Sequence, residues 1–430
     1  MYVATLIANS NNKNLSALIL KQVVKDLGGT QYNVLDDNIA IDIPLQSEPI
    51  NFEVVWKKLQ KLEIDIVLQP IKNRRKKILL ADMDSTIIEQ ECIDELADEA
   101  GAGERVAEIT KRAMNGELDF EEALVERVKL LKGLSSEIIT SVLKTRITLM
   151  PGAVSLIKTM KTNGSYCALV SGGFTDFTDA ISKILGFDEN RANTLLHKNN
   201  KLSGEVQFPI LGKQAKVDAL IDISKKLNCS HDDVIAVGDG ANDLGMLTKA
   251  GMGVALHAKP IVATQCKARI NFVNLEGLLY LQGYSKQEIL LAYINDVHLG
   301  QSGKRSIHGF GLGAQHFFGS SLKNLETDQL ALLVGMLKGP SLYNPRRNPM
   351  NALNRRNIVL GVLRRDGLIK EEVYMDLKIK PVKTIKPSFR SETKYPAFHD
   401  LVRIELRNNF EEEELRSEGL SVYTNIDPIF

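Results

Sequence analysis

Three short polar clusters in this chain carry residue types that can move a phosphoryl group. Asp82 and Asp84 follow the apolar run Lys77–Ala81, Ser171-Gly172-Gly173 follows Tyr166–Val170, and Asp239, Asn242 and Asp243 follow Val234–Val237. Alternate residues of an extended segment face one way, so Asp82 and Asp84 can turn both carboxylates toward one site. Like charges that close repel unless a cation or a shared proton intervenes. That points to a divalent metal, and Mg²⁺ prefers oxygen ligands of this kind. A hydroxyl and backbone N–H groups at a helix N-terminus suit phosphate oxygens, and Lys216 adds a cation against developing charge. Taken singly, each cluster also reads as a turn, a loop or a helix cap. The chain holds no Gly-x4-Gly-Lys-Ser/Thr stretch, which excludes a P-loop enzyme.

The elements that must position these groups follow from the pattern. The apolar runs read as buried parallel strands, with Met252–Leu256 and Arg269–Phe272 as two more. Strands alternating with helices predict an α/β fold, a doubly wound parallel sheet. Ligands of such sheets sit beyond the carboxyl ends of the strands, where all three clusters fall. Four helices are expected between the first strand and the rest, at Ile93–Gly101, Val106–Asn115, Phe120–Leu131 and Ser136–Thr145. Together they form a helical cap over about 88–148. Leu202–Phe208 reads as a hairpin and Ala215–Leu227 as a helix. Residues 1–72 read as βαββαβ, a ferredoxin-like (ACT-like) α+β module, with its first helix over Asn14–Leu27. Such a module binds ligands or dimerises a chain, so a homodimer is an expectation. The basic run Lys72-Asn73-Arg74-Arg75-Lys76-Lys77 reads as a solvated linker.

Composition sets the outer bounds. The 430 residues allow two or three domains, and 54 Lys plus Arg against 53 Asp plus Glu leave no field for nucleic acid or anionic lipid. Cys92, Cys167, Cys229 and Cys266 are scattered without a CxxC pair, which fits a reducing compartment. Met1–Thr5 lacks a signal-peptide pattern, and no run of about 18 apolar residues predicts a membrane span. Cytoplasm is the expected location.

The stretch Asp82–Thr86 (DMDST), Ser171-Gly172-Gly173, Lys216 and Gly238–Asp243 (GDGAND) resemble the haloacid dehalogenase superfamily of aspartyl-phosphate phosphatases. Within it, Asp82–Asp98, Phe120–Val128, Val170–Phe174 and Val237–Asp243 are similar to the branch that acts on O-phospho-L-serine, over residues 1–284. The resemblance implies a Mg²⁺-dependent phosphatase that releases L-serine and phosphate, the last step of serine biosynthesis. It implies Asp82 as nucleophile and Asp84 as general acid and base. Asp82, the Asp84 backbone carbonyl, Asp239 and Asp243 become the implied metal ligands. Ser171, Gly172, Lys216 and Asn242 are implied on the phosphoryl group, and Phe120 in closing the site. Glu91 is implied on the substrate ammonium and Arg127 on its carboxylate. From composition alone, Glu91 and Arg127 read equally as solvated helix charges. A phosphatase for another small phosphomonoester is the alternative. An amino-acid-sensing module over residues 1–70 is a third reading, against which the full catalytic set stands.

From Tyr284 the texture changes. Tyr284–Gln301, Ser306–Gly311, Gln329–Lys338 and Ser341–Pro345 resemble the later part of a family-51 glycosyltransferase domain, and Tyr423–Pro428 resembles the approach to a transpeptidase domain. The resemblance implies a mostly helical partial domain over 285–430, a peptidoglycan glycosyltransferase remnant. The family's early segment with its catalytic Glu-Asp pair has no counterpart in the chain. Apolar segments such as Ala331–Leu337 are therefore expected to lack their usual partners, and a chain cut near Gly283 is expected to keep phosphatase activity.

Overall fold

The computed structural model describes residues 1–10, 12–114, 118–302 and 305–385, together with 401, 402, 404–406, 409 and 410. The chain divides into two compact units, Met1–Asp296 and Val297–Phe430. The first unit begins with β1 (Tyr2–Ala8), α1 (Ala17–Asp26), β2 (Asn33–Asp36), β3 (Ala40–Leu45), α2 (Phe52–Gln60) and β4 (Ile64–Pro70). Its antiparallel sheet has the order β2-β3-β1-β4, the ferredoxin-like arrangement expected from the βαββαβ pattern. Helix α1 starts later than the apolar spacing implies. Ser16 is extended and its Oγ accepts from the Ile19 amide at 3.4 Å, whereas Asn14 gives its side-chain amide to the Leu62 carbonyl at 2.6 Å.

The basic run after β4 is a solvated linker only in part: Lys72, Asn73, Arg75 and Lys77 are exposed, whereas Arg74 and Lys76 are not. The Arg74 guanidinium donates to both Asp42 oxygens (2.5 and 2.8 Å), to Thr5 Oγ1 (2.8 Å) and to the Leu281 and Tyr280 carbonyls (2.6 and 2.9 Å). Arg75 pairs with Glu288 at 2.6 Å and lies over the Tyr284 ring at 4.2 Å. Lys76 is buried, with its Nζ on the Asp232 carbonyl at 2.6 Å. A guanidinium has five donors, and burial demands that they be used. The run therefore staples the module to the following core. Asp65 on β4 does the same from the other side, accepting from the amides of Asn271, Phe272 and Val273. Burial pushes its pKa up to about 6 against those three donors.

The core opens with β5 (Ile78–Ala81). The chain then leaves for the cap, α3 (Cys92–Glu99), α4 (Gly103–Met114), α5 (Phe120–Leu130) and α6 (Glu137–Thr145), and returns through α7 (Ala153–Thr162). The expected last residue of the second cap helix, Asn115, lies outside the described residues. Outgoing and returning strands meet at an Ile88–Leu149 bridge, with Glu89 N on Thr148 O at 3.0 Å and Met150 N on Ile87 O at 2.9 Å. Then come β6 (Tyr166–Phe174), α8 (Thr175–Leu185), β7 (Glu189–Asn193), the hairpin β8 (Leu195–Lys198) and β9 (Lys201–Val206), α9 (Lys213–Lys226), β10 (Val234–Gly238), α10 (Leu244–Lys249), β11 (Met252–Leu256), α11 (Pro260–Ala263), β12 (Ala268–Ile270) and α12 (Gly277–Leu281). The hairpin begins earlier than expected because Asn199 and Asn200 both adopt positive φ (52° and 60°), the two-residue turn that suits twisted strands.

All neighbours in the six-stranded sheet, of order β12-β11-β10-β5-β6-β7, are parallel. The chain is thus an α/β protein with a doubly wound parallel sheet, as the strand–helix alternation implies. The edge strand β7 escaped the sequence reading, since Glu189-Asn190-Arg191-Ala192-Asn193 has no apolar alternation.

The expected boundary at 284/285 and the observed division at 296/297 differ by one helix, α13 (Lys286–Asp296). Ile289 and Ala292 are buried, Lys158 of α7 pairs with Asp296 at 2.5 Å, and Lys286 pairs with Glu276 at 3.1 Å. These apolar and ionic contacts hold α13 in the first unit.

The second unit holds the hairpin β13 (His298–Ser302) and β14 (Arg305–His308), then α14 (Phe310–Phe318), α15 (Thr327–Met336), α16 (Pro349–Arg365) and α17 (Glu371–Ile379). Its mostly helical character is as expected. The expectation that Ala331–Leu337 lacks partners is overturned. Ala331, Leu332, Leu333 and Met336 are buried, and Ala331 forms one core with Leu360, Tyr374 and Leu377 of α16 and α17. The apolar face of α15 is covered from within its own unit. The stretch Tyr423–Pro428 lies outside the described residues.

Candidate active site

Strand β5 is flanked by β10 and β6, and Ala81 pairs with Val237 on one side and Leu169 on the other. One residue further on, Asp82 therefore emerges between the ends of both neighbours. Ser171 lies near the end of β6, three residues before its last, and Asp239 follows β10 directly. The backbone then turns sharply: Met83 O accepts from Ile87 and Ile88 N (2.8 and 3.0 Å), and Ser85 takes a left-handed φ of 53°. This turn sends Asp84 toward the cap, where its Oδ1 accepts from the Cys92 amide (2.9 Å) and its Oδ2 from Ser171 Oγ (3.1 Å). Ser171 Oγ also accepts from Gly173 N at 2.8 Å. A Cβ on Gly173 would stand 2.6 Å from Asp84 Oδ2, so close approach requires glycine there.

The charges are concentrated and buried. Lys216, brought by the first turns of α9, is 2% exposed, with its Nζ 2.6 Å from both Asp82 Oδ1 and Asp243 Oδ1. Burial pushes the Asp82 carboxyl well up, the nearby Asp243 charge adds to this, and Lys216 opposes it. Burial disfavours the Lys216 ammonium, but the two carboxylates outweigh it and hold its pKa above the ordinary lysine range. Burial and then Asp243 also raise the pKa of Asp239. Asp243 is fixed by Gly240 N on its Oδ2 at 3.0 Å, and a Cβ on Gly238 would lie 2.4 Å from its Cγ.

Asp82, Asp239 and Asp243 bring carboxylate oxygens within 4.8 Å of one another. One buried ammonium among three carboxylates leaves the cluster net negative. That is an environment for a cation, and an all-oxygen donor set suits Mg²⁺.

The cap residues face this cluster. Phe120 opens α5, whose Asp119–Glu122 capping box fixes its first turn. A Cβ on Gly172 would be 3.0 Å from Phe120 Cζ and 4.0 Å from Asn242 Nδ2, and one on Gly212 would be 3.5 Å from Phe120 Cδ1. The phenyl ring thus lies across the phosphate-side loop. Glu91 accepts from Ser85 Oγ at 2.8 Å, and burial, then the Asp84 charge, push its pKa up to about 7 although solvent still reaches it. Arg127 donates its Nε–H to the Ala123 carbonyl at 3.2 Å. Burial lowers its pKa, while Asp94, Glu91 and Asp84 oppose that.

Two residues went unnoticed in the sequence. Asp94, on α3, is the first carboxylate felt by Arg127. Asn193, at the end of β7 and 2% exposed, donates to Gly172 O at 2.8 Å and accepts from Leu211 N at 2.7 Å. It ties the Ser171–Gly173 loop to the segment leading into α9 and Lys216. An asparagine in a polar strand gives no sequence signal; only the paired backbone partners reveal it.

Residues 79–248 match the haloacid dehalogenase-like hydrolase family, and residues 277–364 match the transglycosylase family. Phosphoserine phosphatase of Methanocaldococcus jannaschii is 43% identical over 206 residues, which cover 48% of this chain and 97% of that protein. The Saccharomyces cerevisiae phosphoserine phosphatase is 33% identical over 304 residues, 67% of this chain and 98% of that one. The Archaeoglobus fulgidus phosphoserine phosphatase is 43% identical over 224 residues, 52% of this chain but only 65% of that protein's length. Among solved structures, a haloacid dehalogenase-family hydrolase from Salmonella enterica serovar Typhi superposes with a TM-score of 0.59 at 30% identity, covering 65% of this chain and 98% of that one. A probable phosphoserine phosphatase from Vibrio cholerae gives 0.54 at 32% identity, over 68% and 87%.

Proposed function

The chain belongs to the phosphoserine phosphatase family of haloacid dehalogenase-like hydrolases, and on that premise we propose that its first unit hydrolyses O-phospho-L-serine to L-serine and phosphate. The observation that carries the reading is Lys216 Nζ at 2.6 Å from both Asp82 and Asp243, at the strand ends where Ser171 and Asp239 also converge. In this reading Asp82 attacks phosphorus in line and becomes an aspartyl phosphate, and the P–O bond to the serine oxygen breaks. Lys216 opposes the burial that disfavours the Asp82 carboxylate and then neutralises a phosphoryl oxygen. Ser171 Oγ–H, the Gly172 amide and Asn242 hold the other oxygens. Asp84 gives its proton to the leaving serine oxygen and then takes one from the water that cleaves the acyl phosphate. Asp82, Asp239, Asp243 and the Asp84 backbone carbonyl would hold Mg²⁺, which supplies positive charge against the phosphoryl oxygens.

Specificity falls to the cap in the same reading. Glu91 receives the substrate ammonium, and Arg127, kept charged beside Asp94, receives the carboxylate. Phe120 covers the loop at Gly172 and excludes water from the acyl phosphate. The reaction would stand as the last step of a route to serine, in the cytoplasm. Asp82→Asn tests the nucleophile, because the amide keeps the shape and loses the attacking charge. It should abolish turnover and the acid-stable incorporation of phosphate label into protein. Appreciable turnover by the pure variant would overturn the assignment.

A further inference from the structure

A cavity of about 470 Å³ lies away from the catalytic cluster, where the N-terminal module meets the core. Its walls come from the end of β1, the turn after β2, the outgoing and returning cap strands, the loop after β12, and the start of α13. Ile7, Ile39, Met150 and Phe272 make it partly apolar, while Asp36, Glu89, Glu276 and Lys286 bring three carboxylates and one ammonium. Lys286 is already paired with Glu276 at 3.1 Å. Asp36 takes the Tyr280 hydroxyl at 2.6 Å and Glu89 the Thr148 hydroxyl at 2.5 Å. Neither has a cationic partner among the described residues. The half-buried Asp36 and the exposed Glu89 thus line the cavity without a paired cation, and His257, which lines it too, has its Nε2 on the Val273 carbonyl at 2.9 Å.

The cation that fits is organic rather than a metal ion. Among the described residues, the carboxylates gathered tightly enough to ligate one ion are Asp82, Asp239 and Asp243. Here the acids line a space many times an ion's size, together with apolar side chains. The geometry points to a binding site for a small molecule with a primary ammonium group, held by the carboxylates of Asp36 and Glu89 with its carbon chain on Ile39, Met150 and Phe272. An ammonium offers three donors to carboxylate oxygens. The site is also wired to the cap. Glu89 N is bonded to Thr148 O across the two strands that carry the cap, and Glu91, two residues on, faces the catalytic cluster.

The test is calorimetric titration of the full chain at pH 7.5 with n-butylammonium and with 1-butanol, which shares the chain and lacks the charge. Saturable binding of the ammonium alone is expected. It should weaken about tenfold or more in Glu89→Gln and in Asp36→Asn, the loss of a charge-assisted hydrogen bond. It should persist in Arg127→Ala and in the presence of phosphate. Absence of saturable binding, equal binding of the alcohol, or undiminished binding in both pocket variants would overturn the proposal. So would displacement by phosphate, which would place the amine at the catalytic cap.

Discussion

Among the described residues, the most deeply buried cation of each unit is used differently. Lys216 in the first unit and Arg356 in the second are 2% and 1% exposed. Lys216 spends its donors on two carboxylates at the ends of a parallel sheet. Arg356 spends its own on Asn357 Oδ1 and on the Leu377 and Lys378 carbonyls at the end of α17, with Asp328 3.8 Å away. Those carbonyls are the orphan acceptors of a helix C-terminus, so Arg356 completes a helix. A buried charge therefore marks chemistry only when its partners are themselves reactive groups held at a ligand-accessible edge. The comparison also separates completeness from stability: the second unit has a covered core without a gathered carboxylate cluster among its described residues.

The widest test of the contrast is a pair of isosteric losses. Lys216→Met leaves Asp82 and Asp243 buried without their cation, which should cost about 3–5 kcal/mol of stability and remove turnover. Arg356→Met should cost about 1–3 kcal/mol, through unmade bonds to the α17 carbonyls, and leave kcat/KM for phosphoserine unchanged. Thermal denaturation and steady-state kinetics on both proteins read the two effects. Loss of turnover in Arg356→Met would erase the distinction.

A smaller effect sharpens the role of the cap. Arg127→Ala should raise KM for phosphoserine about ten- to a hundredfold, the worth of one charge-assisted pair, and scarcely change KM for an aryl phosphate without a carboxylate. Equal losses on both substrates would remove Arg127 from carboxylate recognition.

The mildest effect is on pH. The folded pKa of Glu91 is pushed up to about 7, and only its ionised form attracts an ammonium. KM for phosphoserine should therefore rise as pH falls through about 7. In Glu91→Gln, KM should be higher and flat across that range. A KM for the native protein that stays level from pH 8 to 6 would contradict the assignment.

What the sequence disclosed and what it withheld follow from range. The three strand ends were legible because each of three apolar runs stops abruptly at a polar cluster, at Asp82, at Ser171 and at Gly238-Asp239. The module was legible from alternation in Ile39–Ile43. Arg74 was not, because its partners Asp42, Thr5 and Leu281 lie 32 to 207 positions away. Strand β7 was missed because an edge strand need not be apolar, and Asn193 was missed with it. The family match and the packing draw the junction differently, since α13 falls inside the transglycosylase match yet packs on α7. The family resemblance misjudged Ala331–Leu337, which finds its cover in α16 and α17.

The central claim is that the chemistry resides wholly in residues 1–296. Its most direct measurement is kcat/KM for phosphoserine on the full chain and on a chain ending at Asp296, the observed end of the first unit. A cut at Gly283 would confuse the result, because it removes Ile289 and Ala292 from the core and Glu288 from Arg75. That burial is worth about 1.5–3 kcal/mol for the isoleucine alone. Equal kcat/KM per folded molecule is the predicted result. A loss of about tenfold in the shorter chain, equivalent to about 1.4 kcal/mol of transition-state stabilisation, would contradict it and draw the second unit into the catalytic account.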